Sequence, residues 1–244
     1  MEWVIAAVVA VAITLFLVWL RWIIRRRIYW FERLTNAIPA NSDWWKAQRS
    51  KPGEILYVAI GDSTAQGIGA SRPGRSYVGV VAAYIRASTS KRVRVVNLGI
   101  SGATVGIALA KQLPALSKLD ADIVTVSIGA NDMPSFDPVR FQTEIEQLFD
   151  ALPAHAIVAD LPTFYILPSE RRVKVANAIL RAAAASRGLT VVDLHHAMSR
   201  QGAWGVITQF AGDLFHPNDR GYRVWASPFL AAVDDRLTDI GGRA

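Results

Sequence analysis

The chain has 244 residues, 52% of them hydrophobic, which fits one domain of ordinary size plus an extra segment. It contains no cysteine, which excludes disulfides, thiolate chemistry and cysteine-ligated metal sites. The formal net charge is +7, but residues 1–53 hold eight Lys/Arg against three acids and residues 54–244 hold 19 against 17, so the folded part lacks the concentrated positive charge of a nucleic-acid binder.

The first element is WVIAAVVAVAITLFLVWL, residues 3–20, without a charge and extended past Arg21 by Trp22, Ile23 and Ile24. That length spans a bilayer, and Trp3, Trp19 and Trp22 bracket it as interface anchors do. A cleaved signal peptide fits poorly: no basic side chain precedes the run, the run is too long, and the small-residue AVA lies in its middle. Arg21, Arg25, Arg26, Arg27 and Arg33 all come after the span, whereas only Glu2 and the α-amine precede it. The positive-inside rule therefore predicts a single-pass protein of the cell membrane, anchored by residues 3–24, with its N-terminus outside and the remainder cytoplasmic. Residues 1–27 read as the anchor with its basic flank and residues 28–53, which mix aromatic and basic side chains and end at Pro52-Gly53, as a juxtamembrane linker.

Residues 54–244 read as one catalytic-sized domain. Short β-branched runs at 54–60, 93–98, 122–128, 156–161 and 189–194 alternate with helix-compatible stretches at 76–89, 103–118, 138–151, 169–187 and 218–238. Continuous apolar strands separated by helices predict an α/β fold, a parallel sheet of about five strands covered on both faces in three layers.

At the end of the first run stands GDSTAQGIGASRPG, residues 61–74. A phosphate-binding loop would need GxxxxGK[ST], but counting from Gly61 the sixth position is Gln66 and no Lys comes next. A dinucleotide turn starting at Gly67 finds Gly69 second but Arg72 third. The GxSxG elbow is absent too, since Gly99 to Ala103 reads GISGA. What remains is Ser63 as a nucleophile at a strand tip, which requires a base, an acid to orient it and donors for an oxyanion. Later strand ends offer candidates for each: Gly102 in NLGISGAT for a backbone N–H, Asn131 in SIGAND for a side-chain amide, and Asp213 one turn before His216 in DLFHP. Taken singly, Ser63 reads as a helix cap, Gly102 as a turn, Asn131 as a cap and Asp213 with His216 as a surface pair. Their order along the chain, each at the same end of an α/β unit where open sheets place their crevices, favours a shared site.

Together GDSTAQG, NLGISGAT, GAND and DLFHP resemble the four signature blocks of the SGNH hydrolases, also called GDSL esterases and lipases, over about residues 54–238. The resemblance implies a flavodoxin-like α/β/α fold and a serine esterase with Ser63, Asp213 and His216 as the catalytic triad. It implies an oxyanion hole of the Ser63 and Gly102 N–H groups and Asn131, with no metal and no cofactor. The reaction expected is cleavage of a small-molecule or lipid acyl ester or thioester through an acyl-enzyme on Ser63. The same site could pass the acyl group to another alcohol, as an acyltransferase, or serve an exported esterase acting on acylated envelope polymers.

Met133, Phe164 and Tyr165 are candidates for an apolar acyl pocket, with Phe136, Ile166 and Leu167 beside them and Trp204 and Phe210 nearer the last motif. His195 and His196, expected at the end of the fifth strand and so on opposite faces, read as structural rather than as metal ligands. His155 shows no partner in the sequence. Asp62 and Asp132 read as loop braces. Arg72 and Arg75 read as a solvated loop in preference to an anion site.

Overall fold

A computed structural model describes residues 1–165 and 168–241. Two helices come first, α1 (Glu2–Asn36) and α2 (Ile38–Arg49), separated by a kink at Ala37 with Pro39 at the start of α2. Residues 1–22 of α1 are exposed all round, the pattern of a helix whose apolar surface has no protein to cover it. The expectation of a linker over residues 28–53 meets a different arrangement. The chain is helical to Arg49, and the side chains of Leu34 and Trp45 are buried.

The domain proper alternates β1 (Ile55–Gly61), α3 (Ser63–Gln66), α4 (Tyr77–Thr89), β2 (Val93–Asn97), α5 (Val105–Ile107), α6 (Leu113–Leu116), β3 (Ile123–Ser127), α7 (Pro138–Asp150), β4 (Ile157–Ala159), α8 (Glu170–Ala185), β5 (Thr190–Val192), α9 (Leu194–Ser199), α10 (Gly202–Thr208) and α11 (Asp219–Gly241). All strand pairs are parallel, in the order β2-β1-β3-β4-β5. β1 is therefore flanked by β2 on one side and β3 on the other, and the order reverses at that point, which opens a crevice beyond its C-terminal end.

Both sheet faces are apolar, as a parallel sheet wrapped by helices requires. One face packs on α7 and α8 through Phe141, Ile145, Leu148, Val173 and Leu180. The other packs on α4 and α11 through Tyr77, Val81, Trp225 and Phe229, and Trp45 of α2 joins this second core. Tyr77 stacks on Phe229 with ring centroids 5.5 Å apart. The five expected strands and the expected helices at 76–89, 138–151, 169–187 and 218–238 lie where the periodicity placed them. Within 103–118 the helix is interrupted by a π turn, Ala108–Gln112.

Candidate active site

β1 ends at Gly61, and the chain turns into α3, whose first residue is Ser63. Asp62 caps that turn: its Oδ1 accepts from both the Thr64 N–H and the Thr64 hydroxyl at 2.8 Å. Gly67 ends it in the left-handed conformation. Beneath the turn, Gln112 of the π segment is fully buried and clamps Gly61, accepting from its N–H at 3.0 Å and donating to its carbonyl at 2.8 Å. Bulged helical turns of this kind recur at functional sites because they redirect one side chain inward.

The loop between α10 and α11 brings Asp213 and His216. An antiparallel bridge between Phe210 and Pro217 closes it, and Asn218 ties both sides by donating to the Thr208 and Phe210 carbonyls at 2.9 Å. Inside the loop, Asp213 Oδ1 accepts from the Phe215 and His216 N–H groups at 3.1 Å, while Oδ2 stands 2.6 Å from His216 Nδ1. His216 Nε2 lies 3.1 Å from Ser63 Oγ. Gly69 allows this approach: its φ is +94°, and a Cβ there would stand 2.5 Å from the Pro217 carbonyl oxygen.

Burial by itself would raise the Asp213 carboxyl. The hydrogen bond from the His216 ring, the charge of that ring and the two loop N–H groups outweigh it and hold the group below its ordinary value. Asp213 is thus held as a carboxylate facing the His216 ring. Asp62 goes the other way, raised chiefly by burial against the opposing bonds from Thr64. Asp132 is likewise raised, to about 6, mainly by burial and in spite of the Val105 N–H that its Oδ2 accepts at 3.1 Å.

Asn131 comes just after β3, and its amide nitrogen donates to the Ala103 carbonyl at 3.0 Å and to Asp62 Oδ2 at 3.3 Å. Those two bonds connect the Asn131 loop to the residue after Gly102 and to the residue before Ser63. Gly102 has φ +78° and open space where a Cβ would be. The five residues that the motifs singled out, scattered from 63 to 216 in sequence, therefore share one hydrogen-bonded neighbourhood at the C-terminal edge of the sheet.

The candidate pocket residues divide. Met133 is fully buried in the core, so its side chain stands behind the wall of the crevice and presents no surface to a ligand. Phe164 is partly buried, and its N–H donates to Glu170 at 2.6 Å. Tyr165 packs edge-on against Phe210 with centroids 6.1 Å apart and donates its hydroxyl to the Met198 carbonyl at 3.1 Å. Trp204 is exposed, and Ile166 and Leu167 lie outside the described residues.

His195 and His196 belong to α9 and not to a strand, so the alternation argument does not apply to them. Asp193 caps α9, and His195 Nε2 pairs with Glu170 at 2.7 Å. His155, expected to lack a partner, has its Nε2 2.9 Å from the Ala121 carbonyl. Arg75 is not a free cation but pairs with Asp219 at 2.7 Å.

Several supports carry no motif. Gln66 donates to the Gly99 carbonyl at 2.9 Å and accepts from the Ser101 hydroxyl at 2.8 Å, joining two of the blocks. The Gln66 carbonyl, in turn, accepts from Trp45 Nε1 at 3.1 Å and Asn41 Nδ2 at 3.2 Å, both from α2. The Trp30 indole covers Gly212, next to Asp213. A lone Gln inside the apolar stretch 103–118 was the only signal for Gln112, and the Trp-rich composition of residues 30–45 the only one for Trp30 and Trp45.

Residues 59–224 match the model of the GDSL-like lipase/acylhydrolase family. A curated relative, the GDSL-like esterase Rv1075c of Mycobacterium tuberculosis, is 24% identical over 210 residues, which cover 79% of this chain and 66% of that protein. The chain thus spans just under two thirds of that relative's length. Among solved structures, an alpha/beta hydrolase enzyme from the metagenome of Lake Arreo superposes with a TM-score of 0.62 at 26% identity, covering 75% of this chain and 97% of the other. An acetylxylan esterase from Geobacillus stearothermophilus gives 0.60 at 22%, covering 74% and 94%, a likeness of fold.

Proposed function

The chain belongs to the GDSL-like lipase/acylhydrolase family, and from that premise we propose that it is a membrane-anchored serine hydrolase that cleaves acyl esters or thioesters through an acyl-enzyme on Ser63. The observation that carries this reading is the unbroken line Asp213 to His216 to Ser63, with spacings of 2.6 and 3.1 Å. His216 Nε2 takes the proton of the Ser63 hydroxyl as Oγ attacks the acyl carbon. Asp213 holds Nδ1 and offsets the charge that the ring acquires.

The carbonyl oxygen, now an oxyanion, is held by the N–H groups of Ser63 and Gly102 and by the Asn131 amide. The 3.3 Å bond from Asn131 to Asp62 is the longer of its two, and it is the one that yields to the incoming oxygen. His216 then gives its proton to the leaving alcohol or thiol. Water, deprotonated by the same imidazole, releases the acid and restores Ser63. Phe164 and Tyr165 support an apolar wall for the acyl group.

The anchor reading rests on α1, near the N-terminus, long and apolar enough to cross a membrane and with its most apolar stretch wholly exposed. The four arginines beyond residue 24, Arg25, Arg26, Arg27 and Arg33, support a cytoplasmic catalytic domain. The test of the chemistry is Ser63→Ala on the full chain in detergent, with a panel of nitrophenyl esters of increasing acyl length and a fluorophosphonate probe. Loss of both turnover and labelling is expected; continued labelling at another Ser overturns the assignment. Added alcohols that capture the acyl group faster than water would move the reading to an acyltransferase.

A further inference from the structure

The anchor helix leaves the molecule from the catalytic edge of the sheet. α2 starts beside the nucleophile turn, where Asn41 and Trp45 meet the Gln66 carbonyl. It ends at the opposite edge, where the Arg49 carbonyl accepts from Arg94 at the start of β2. α2 therefore runs against the strands, and α1 joins it at the end where Ser63 lies. Trp30 of α1 seats on Gly212 in the acid–base loop. From Ile24, the end of the apolar stretch, to Trp30 is six residues, about 9 Å along a helix. The polar layer of a bilayer leaflet is about 5–8 Å deep, so a bilayer around α1 has its surface within a few ångströms of the loop.

The surface around this loop is unusual for the domain. Among the described residues beyond 49, seven large hydrophobic side chains are exposed, and five of them lie between 204 and 215: Trp204, Val206, Ile207, Leu214 and Phe215. Between Gln201 and Asn218 the only acid is Asp213, which is buried against His216. Exposed arginines flank the stretch, Arg200 before it and Arg220 and Arg223 after it. A cavity of about 370 Å³ between α10 and α11 is lined by Trp204, Thr208, Arg220 and Arg223, an arrangement suited to an anionic headgroup. An apolar patch edged with cations is the composition of a segment lying in a membrane interface.

We propose that α10 and the loop tip at Leu214 and Phe215 form a second membrane-contact surface, seated in the headgroup layer of the same leaflet that α1 enters, so that the mouth of the site opens onto the bilayer. The proposal rests on the reading of α1 as a bilayer span. It commits to the bilayer as occupant because the patch continues from the anchor through Trp30 and Gly212 and carries basic side chains on both flanks.

The chain has no cysteine, so single labels can be placed without background. Ile207→Cys and Phe215→Cys are labelled with an environment-sensitive fluorophore in the full chain, reconstituted in vesicles of phosphatidylglycerol and phosphatidylcholine that carry a lipid-borne quencher. Leu15→Cys reports the span, and Lys118→Cys, exposed just before β3 at the far edge of the sheet, reports bulk water. Labels at 207 and 215 are expected to shift to the blue and to be quenched severalfold more than the one at 118. If Leu15 is quenched while either 207 or 215 behaves like 118, or is protected only as protein concentration rises, the patch serves another purpose, such as a second copy, and the proposal falls alone. If Leu15 is not quenched, the anchor reading falls and takes this proposal with it; the Ser63 labelling experiment stands apart from both.

Discussion

Two acids at the candidate site are shifted in opposite directions, and that contrast can be measured. Asp213, kept below its ordinary value, supplies a permanent charge to His216. Asp213→Asn retains the shape but removes that charge and allows the wrong imidazole tautomer, so kcat is expected to fall roughly 10³–10⁴-fold with little change in KM, as steady-state rates on a short ester would show. Asp132 shows the reverse, raised from 3.8 to about 6. Between those two values the native chain keeps a proton that the unfolded chain has released, so this group makes stability fall as pH rises from about 4 to about 6. Asparagine can still accept the Val105 N–H and never ionises. Asp132→Asn is therefore expected to gain on the wild type across that window, by up to about 3 kcal/mol. Denaturant midpoints of both proteins at pH 4 and pH 7 would reveal it, and parallel pH dependences would refute it.

At the scale of elements, the N-terminal helices act as a brace on the site. α2 holds the end of the Ser63 turn through the Gln66 carbonyl, and α1 covers Gly212 with Trp30. A Cβ at 212 would collide with the Trp30 indole, so Gly212→Ala must displace either that ring or the loop that carries Asp213 and His216. The expected cost is about 1–3 kcal/mol, together with a lower kcat. In a Trp30→Ala background the same change should be nearly neutral. A double-mutant cycle that gives additive effects would disconnect the two positions. Nothing in residues 28–53 announced this role, because Trp, Asn and basic side chains there fit a membrane-surface linker as well as they fit a docked helix. The distinction depends on the Gln66 carbonyl, 21 residues beyond Trp45.

At the scale of the molecule, positive charge and apolar surface are both concentrated on the side where α1 leaves the domain. Arg25, Arg26, Arg27 and Arg33 come after the apolar stretch of α1, and the apolar patch of α10 and the Asp213–His216 loop lies beside the point where α1 leaves the domain. Translocating four arginines is disfavoured and translocating Met1 and Glu2 is easy. In sealed spheroplasts, external protease is accordingly expected to spare the domain until the membrane is opened. Removal of the domain from intact spheroplasts would reverse the orientation and point to an exported esterase of envelope polymers.

Much of this was legible in the chain because it is local. Short β-branched runs, spaced by helical stretches, determine an α/β sheet from their own periodicity, and each of the four blocks carries its own turn chemistry. Ser63, Gly102, Asn131, Asp213 and His216 could thus be singled out without coordinates. Distances between blocks are another matter. That His216 reaches Ser63, that Gln112 clamps Gly61 and that Met133 lies inside the core all depend on contacts between residues far apart in sequence, which leave no periodic trace. His195 and His196 illustrate the boundary case: one capping bond from Asp193 turns the end of β5 into a helix, and the sequence alone allowed either. The order of the strands set the crevice, the fold around Asp213 set its charge, and the packing of Trp30 and Trp45 set where α1 stands, because each is decided by what a side chain meets across the molecule.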